Sequence, residues 1–221
     1  MIRFVKPDKK GTVALIAIAV SAVVVLTAAI AMIVSPRFMR LTIGADFVIR
    51  WLLIFVTGGS FVYGLVRMAL CVLTGGDKAK TLSHVFLFCL LAELCAIVIT
   101  VLTFLGDADY QQNMNLIEDV LCIVFALIVG VLALFGYVFR HSGKRAFVVS
   151  VIAAAAALFL AFVDIAFVGP ATVRAQDVDF AFVMSSLGAV FPYVATAVFC
   201  KCVPDAEEEP SDQGHNGGDA V

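Results

Sequence analysis

Residues 82–105 read LSHVFLFCLLAELCAIVITVLTFL, a run of 24 residues whose single acid is Glu93. An α-helix rises about 1.5 Å per residue, so a run of this length crosses roughly 30 Å of hydrocarbon. Lipid offers the backbone no hydrogen-bond partners, so such a run must be a helix or belong to a closed barrel. The absence of a period-two alternation argues against the barrel. The stretch therefore predicts a transmembrane helix with one carboxyl near its middle. Glu93 stands eleven residues in, about 17 Å along the axis and beyond the easy reach of either interface.

The same pattern recurs along the chain. Apolar runs fall near 12–34, 46–73, 82–105, 116–139, 146–168 and 178–200. Hydrophobic residues make up 62% of 221 positions and charged residues 14%, with a mean hydropathy of +1.07. Soluble domains are about half apolar and a quarter charged. The expected fold is an all-α integral membrane protein, a six-transmembrane-helix bundle. A basic cytoplasmic N-terminus (1–11) precedes the membrane domain (12–202), and a disordered acidic cytoplasmic tail (203–221) follows it. The tail has too little apolar content to fold alone.

The first run follows Arg3, Lys6, Lys9 and Lys10, and Ala29-Ile30-Ala31 offers a small-residue cleavage pattern like that of a signal peptide. Its 23 apolar residues (12–34) exceed the apolar core of a signal peptide. It is read as a retained anchor; cleavage would leave five spans and the same later orientation.

Orientation follows from lysine and arginine, which resist translocation. With the N-terminus inside, the cytoplasmic segments hold Arg3, Lys6, Lys9, Lys10, Lys78, Lys80, Arg140, Lys144, Arg145 and Lys201, whereas the outer loops hold Arg37, Arg40 and Arg174. Both termini are expected in the cytoplasm, in a plasma (cytoplasmic) membrane. The loop 106–113, with acids and amides but no basic residue, is the firmest outer assignment. The net charge is −2 with acids gathered in the tail, which gives no basic surface for nucleic acid. Cys71, Cys89, Cys95 and Cys122 lie inside apolar runs and Cys200 and Cys202 close the last one, as small packing residues rather than a disulfide framework.

Phe61-Val62-Tyr63, Phe135-Gly136-Tyr137 and Phe191-Pro192-Tyr193 occupy comparable positions in the even-numbered spans, and Asp46, Asp119 and Asp177 precede them by 14 to 16 residues. Three similar helical hairpins would give this pattern, as would chance in a chain with 19 phenylalanines.

Charge at bilayer depth is expensive, about 2.5–3.5 kcal/mol at a helix centre on insertion scales. Glu93 must therefore be neutral, paired or facing water, and it is the leading candidate for lining a pathway. Thr57-Gly58-Gly59-Ser60 in the second span, and Ser185, Ser186, Gly188 and Pro192 in the sixth, are candidate helix interruptions at similar depth. Freed carbonyls and hydroxyls at such breaks can meet a solute. The competing reading is close packing, since Ser60-x-x-x-Gly64 and Ala126-x-x-x-Gly130 have the small-residue spacing that lets helices approach. Arg50 and Asp164, near the outer boundary on spans two and five, form a candidate ion pair, and Arg67 can snorkel or turn towards Glu93.

The three histidines, His84, His141 and His215, form no paired ligand motif, and Cys200-x-Cys202 lacks a second pair. No metal or cofactor is expected. There is no HExxH, no GxSxG elbow and no phosphate loop, and Gly75-Gly76-Asp77-Lys78 reads as a turn. An enzyme is not expected. The leading expectation is a membrane protein that forms or contributes to a path for a small solute or ion. The alternative is a structural, accessory or sensory subunit. Its expected partners are the lipid bilayer and a membrane protein or a second copy of the chain.

Overall fold

The computed structural model describes residues 5–34, 47–106, 116–163 and 180–204. These form six α-helices and, among the described residues, no strand: α1 (Lys9–Val34), α2 (Phe47–Thr74), α3 (Lys78–Gly106), α4 (Leu116–Val138), α5 (Gly143–Val163) and α6 (Phe180–Cys202). Four stretches within them are long and apolar enough to cross a membrane: Lys9–Ala31, Trp51–Thr74, Lys78–Ile99 and Gly143–Phe162. Ile123–Val138 of α4 and Leu187–Cys202 of α6 are shorter apolar helices. Asp164, the acidic loop after Gly106, the segments holding Arg37, Arg40 and Arg174, and the tail from Asp205 onwards lie outside the described residues.

Each helix packs on its neighbours in the chain, and α6 returns to α1, so the six form a closed ring; α6 also touches α2. Large apolar side chains lie outside this ring as well as inside it, unlike in a soluble bundle. The outer faces present large apolar groups, among them Ile16, Val23 and Ile30 on α1, Leu52 and Phe55 on α2, and Leu158, Phe159 and Phe162 on α5. The inward face of α5 carries Ala146, Ser150, Ala153, Ala157 and Ala161. Water would penalise such an apolar exterior, but lipid accepts it. In lipid the helices gain nothing by hiding leucine from tails that are equally apolar. Close approach of small residues and interhelical hydrogen bonds hold them together instead. The fold is thus an all-helical bundle with the make-up of a multi-pass integral membrane protein.

Glycine permits the nearest approaches. A Cβ added at Gly136 would overlap the ring of Phe86 on α3, and one at Gly188 would stand 2.9 Å from Cβ of Ala28 on α1. The two small-residue spacings read from the sequence both face α3. Ser60 and Gly64 are buried, with Gly64 against Val85, and Ala126 and Gly130 are buried, with Gly130 against Leu90 and Glu93.

The end of the bundle that carries the chain's first described residues is well defined. Asp8 caps α1, accepting a bond from the Gly11 N–H on its Oδ1 (2.6 Å), while the Val5 N–H donates to the Leu73 carbonyl (2.7 Å). Gly75 ends α2 in the left-handed conformation (φ 63°), where a side chain is disfavoured, and the Gly76 N–H closes back onto the Cys71 carbonyl (3.0 Å). Asp77 then caps α3, accepting from the Lys80 N–H (3.1 Å). Gly75-Gly76-Asp77-Lys78 is therefore the turn expected of it. Because this cap and not hydropathy sets the helix start, α3 begins at Lys78, four residues before the apolar run. Lys78 itself is buried, and its Nζ donates to the carbonyls of Cys200 (2.8 Å) and Val203, at the last turn of α6. Those carbonyls have no intrahelical donor, and a cation suits the negative end of a helix dipole.

The three Phe-x-Tyr motifs do not share an environment. Phe61 is buried and Tyr63 half-exposed against Phe88, Phe135 is exposed, and Tyr193 is fully enclosed. The likeness of the three hairpins does not extend to their packing.

Candidate functional site

The polar centre of the bundle is built from helices that are not adjacent in the chain. Glu93 projects from the middle of α3 and Tyr193 from the middle of α6, and the Tyr193 hydroxyl donates to Glu93 Oε1 at 2.9 Å. Tyr193 is 0% and Glu93 7% exposed. Phe61 of α2 meets the Tyr193 ring edge-on, with centroids 6.5 Å apart, the Cys89 thiol adjoins the same hydroxyl, and Gly130 of α4 lets Glu93 lie close to that helix. Glu93 is thus paired, one of the three states its depth allows, and the pair joins helices on opposite sides of the ring.

The other candidate lining residues are distributed differently. Ser60 is buried at the α2–α3 contact, and Thr57 donates its hydroxyl to the Leu53 carbonyl within its own helix (2.9 Å). Gly58 and Gly59 face open space, with nothing within 4 Å of an added Cβ, away from the Glu93 pair. The expected interruption at Thr57-Gly58-Gly59-Ser60 is not found: α2 is one continuous helix. Helical hydrogen bonds that have no competing water in lipid tolerate the glycine pair.

Pro192 does not break α6 either. The hydroxyl of Thr196 donates to the Pro192 carbonyl (2.7 Å), and Ser21 of α1 donates to the Phe191 carbonyl (3.0 Å). Pro192 removes the i−4 donor of the Gly188 carbonyl, and the helix continues through it with these two hydroxyls as additional bonds on the neighbouring carbonyls. Ser185 and Ser186 lie on the helical backbone of α6, and Arg50 lies on that of α2; their side chains, and the pairing of Arg50 with Asp164, fall outside the described residues. Arg67 makes no ion pair with Glu93, and its Nε is buried without a hydrogen-bond partner.

Two members of this centre escaped the sequence reading. Tyr193 was visible only as part of Phe191-Pro192-Tyr193; an aromatic hydroxyl deep in an apolar run, where it needs a partner, is the signal that points to Glu93. Ser21, 1% exposed, carries the corresponding signal on α1. Among the described residues no three His, Cys, Asp or Glu side chains converge as metal ligands, and Cys71, Cys89, Cys95 and Cys202 are thiols outside any disulfide. Comparisons of the chain with family models, with curated proteins and with solved structures return no match.

Proposed function

We propose that the chain is a six-span protein of the plasma membrane with both termini in the cytoplasm, and that it forms or contributes to a path for a small solute or ion. The observation that carries this reading is the enclosed Glu93–Tyr193 hydrogen bond between α3 and α6. A carboxyl held at mid-helix by one neutral donor can exchange that donor for a solute or a proton when α6 moves away from α3. The enclosed pair then corresponds to the closed state of the path. Pro192, next to Tyr193, is a natural point for such a movement, because the helix already lacks one backbone bond there. The orientation rests on the basic residues of the two described turns and of both chain ends: Lys6, Lys9, Lys10, Lys78, Lys80, Arg140, Lys144, Arg145 and Lys201.

The test uses purified protein in vesicles loaded with a pH-sensitive dye, with proton or potassium flux driven by a diffusion potential. Glu93→Gln keeps an acceptor for Tyr193 and should insert normally while abolishing flux or its dependence on pH. Unchanged flux would remove Glu93 from the path.

A second reading, an accessory membrane subunit, draws on a separate observation. Gly58 and Gly59 leave an unfilled notch on α2 at mid-helix, shaped for a partner's helix. Under this reading a pull-down in mild detergent recovers a stoichiometric membrane partner. Gly58→Leu releases that partner, and Glu93→Gln does not.

A further inference from the structure

We propose that the outer groove between α2 and α3, at the end of the bundle shared by both chain ends, holds the phosphate of an anionic phospholipid, with Arg67 as its principal ligand. The two helices run antiparallel. Their register is set by the ring contact of Tyr63 with Phe88 (centroids 4.4 Å apart) and, two turns on, by the contact of Cys71 with Thr81. Between these two rungs the same register places Arg67 opposite His84. Arg67 stands seven residues before the end of α2 at Thr74, and His84 six residues after the start of α3 at Lys78. At helical rise both lie about 10 Å inside the helix ends, one arginine length below the level of lipid headgroups.

The arginine is incompletely satisfied at this position. Its Nε is buried with no hydrogen-bond partner, although a guanidinium carries five donors in a fork that matches a phosphate. One and two helical turns from His84 and Phe88, on the same face of α3, is Lys80, with an exposed side chain. Asp77, at the start of α3, is turned to the backbone N–H of Lys80 as the helix cap, and the His84 Nδ1 donates to the Lys80 carbonyl (2.7 Å). The groove therefore offers two cations to one anion. Deeper in the bundle the half-exposed Tyr63 of α2 and the exposed Leu91 of α3 give the apolar wall that an acyl chain needs and a free phosphate does not. Basic pockets between transmembrane helices, on the side of the headgroups, take lipids of this charge.

The test is a lipid titration of the full chain, purified and delipidated in mild detergent, read by native mass spectrometry and by thermal unfolding. The probes are dioleoyl phosphatidylglycerol, dioleoyl phosphatidylcholine and inorganic phosphate. The anionic lipid should bind at least tenfold tighter than the zwitterionic one and should raise the unfolding temperature. Arg67→Gln should bring it down to the zwitterionic level, and Arg67→Lys should recover part of the difference. Equal binding of the two lipids, an undiminished preference in Arg67→Gln, or the same thermal shift from inorganic phosphate alone would each overturn the proposal. Should Arg67→Gln fail to fold, Lys80→Gln serves in its place because that side chain is exposed. It should weaken the anionic lipid two- to threefold and leave the zwitterionic one unchanged, and an unchanged anionic affinity would reject the site.

Discussion

Tyr193 and Glu93 lie 100 positions apart in the chain, yet their bond is the buried side-chain contact from which the centre of the bundle is built. Tyr193→Phe removes the donor and leaves the carboxyl enclosed without one, a loss of about 0.5–2 kcal/mol in a membrane protein. Glu93→Gln retains an acceptor and should cost less. Unfolding of the two single variants and the double variant in mixed micelles gives their coupling directly; a coupling of zero would show that the bond carries no stability. Gly136 offers a second test, because a methyl group there would overlap the buried ring of Phe86. Gly136→Ala should destabilise the α3–α4 contact by about 1–3 kcal/mol, the usual effect of overpacking, and Phe86→Leu should restore part of the loss by making room. At this scale the sequence revealed Glu93 as an anomaly but not its resolution, since depth in a helix says nothing about which helix stands opposite.

Among the elements, the turns were the most legible and the helix faces the least. Gly75 with positive φ and Asp77 as a cap can be read from residue type because their roles are local. The tie between Lys78 and the end of α6 is not local, and it spans 122 residues to the carbonyl of Cys200. Lys78→Met keeps the stem and removes the bonds that hold the last turn of α6. Backbone amides near Cys200 to Val203 should then exchange hydrogen faster by about tenfold or more, since two charged hydrogen bonds of about 1.5 kcal/mol each are lost. Exchange at mid-helix, around Tyr193, should stay as it was. Uniform acceleration along α6 would mean instead that Lys78 supports the whole helix.

At the level of the molecule, the ring closes because α6 packs on α1, with Gly188 against Ala28 and Ser21 bonded to the Phe191 carbonyl. Contacts between successive helices alone would allow an open row. Six helices running alternately up and down bring the two ends of the described chain to one end of the bundle, and the closure sets them side by side, where Val5 and Val203 line the same cleft of about 480 Å³. Reporter fusions at the two termini should therefore report the same side of the membrane, the cytoplasm. Opposite sides would contradict the six-span reading.

Some properties of this protein follow from the sequence alone, because they are properties of segments. Long apolar runs must satisfy their own backbone, so they are helical, and an acid in the middle of one must be neutral, paired or facing water. Local turn chemistry and the small-residue spacings of Ser60/Gly64 and Ala126/Gly130 belong with these. Only the tertiary structure decided that Tyr193 answers Glu93, that Gly58 and Gly59 face outwards, that Pro192 leaves α6 intact, and that Ser21 of α1 bonds to α6 beside it. The reason is physical. A helix embedded in lipid is apolar on every side, so no polar stripe marks which face turns inward. Side-chain size and rare hydroxyls carry that information, and they acquire meaning only when another helix is placed against them.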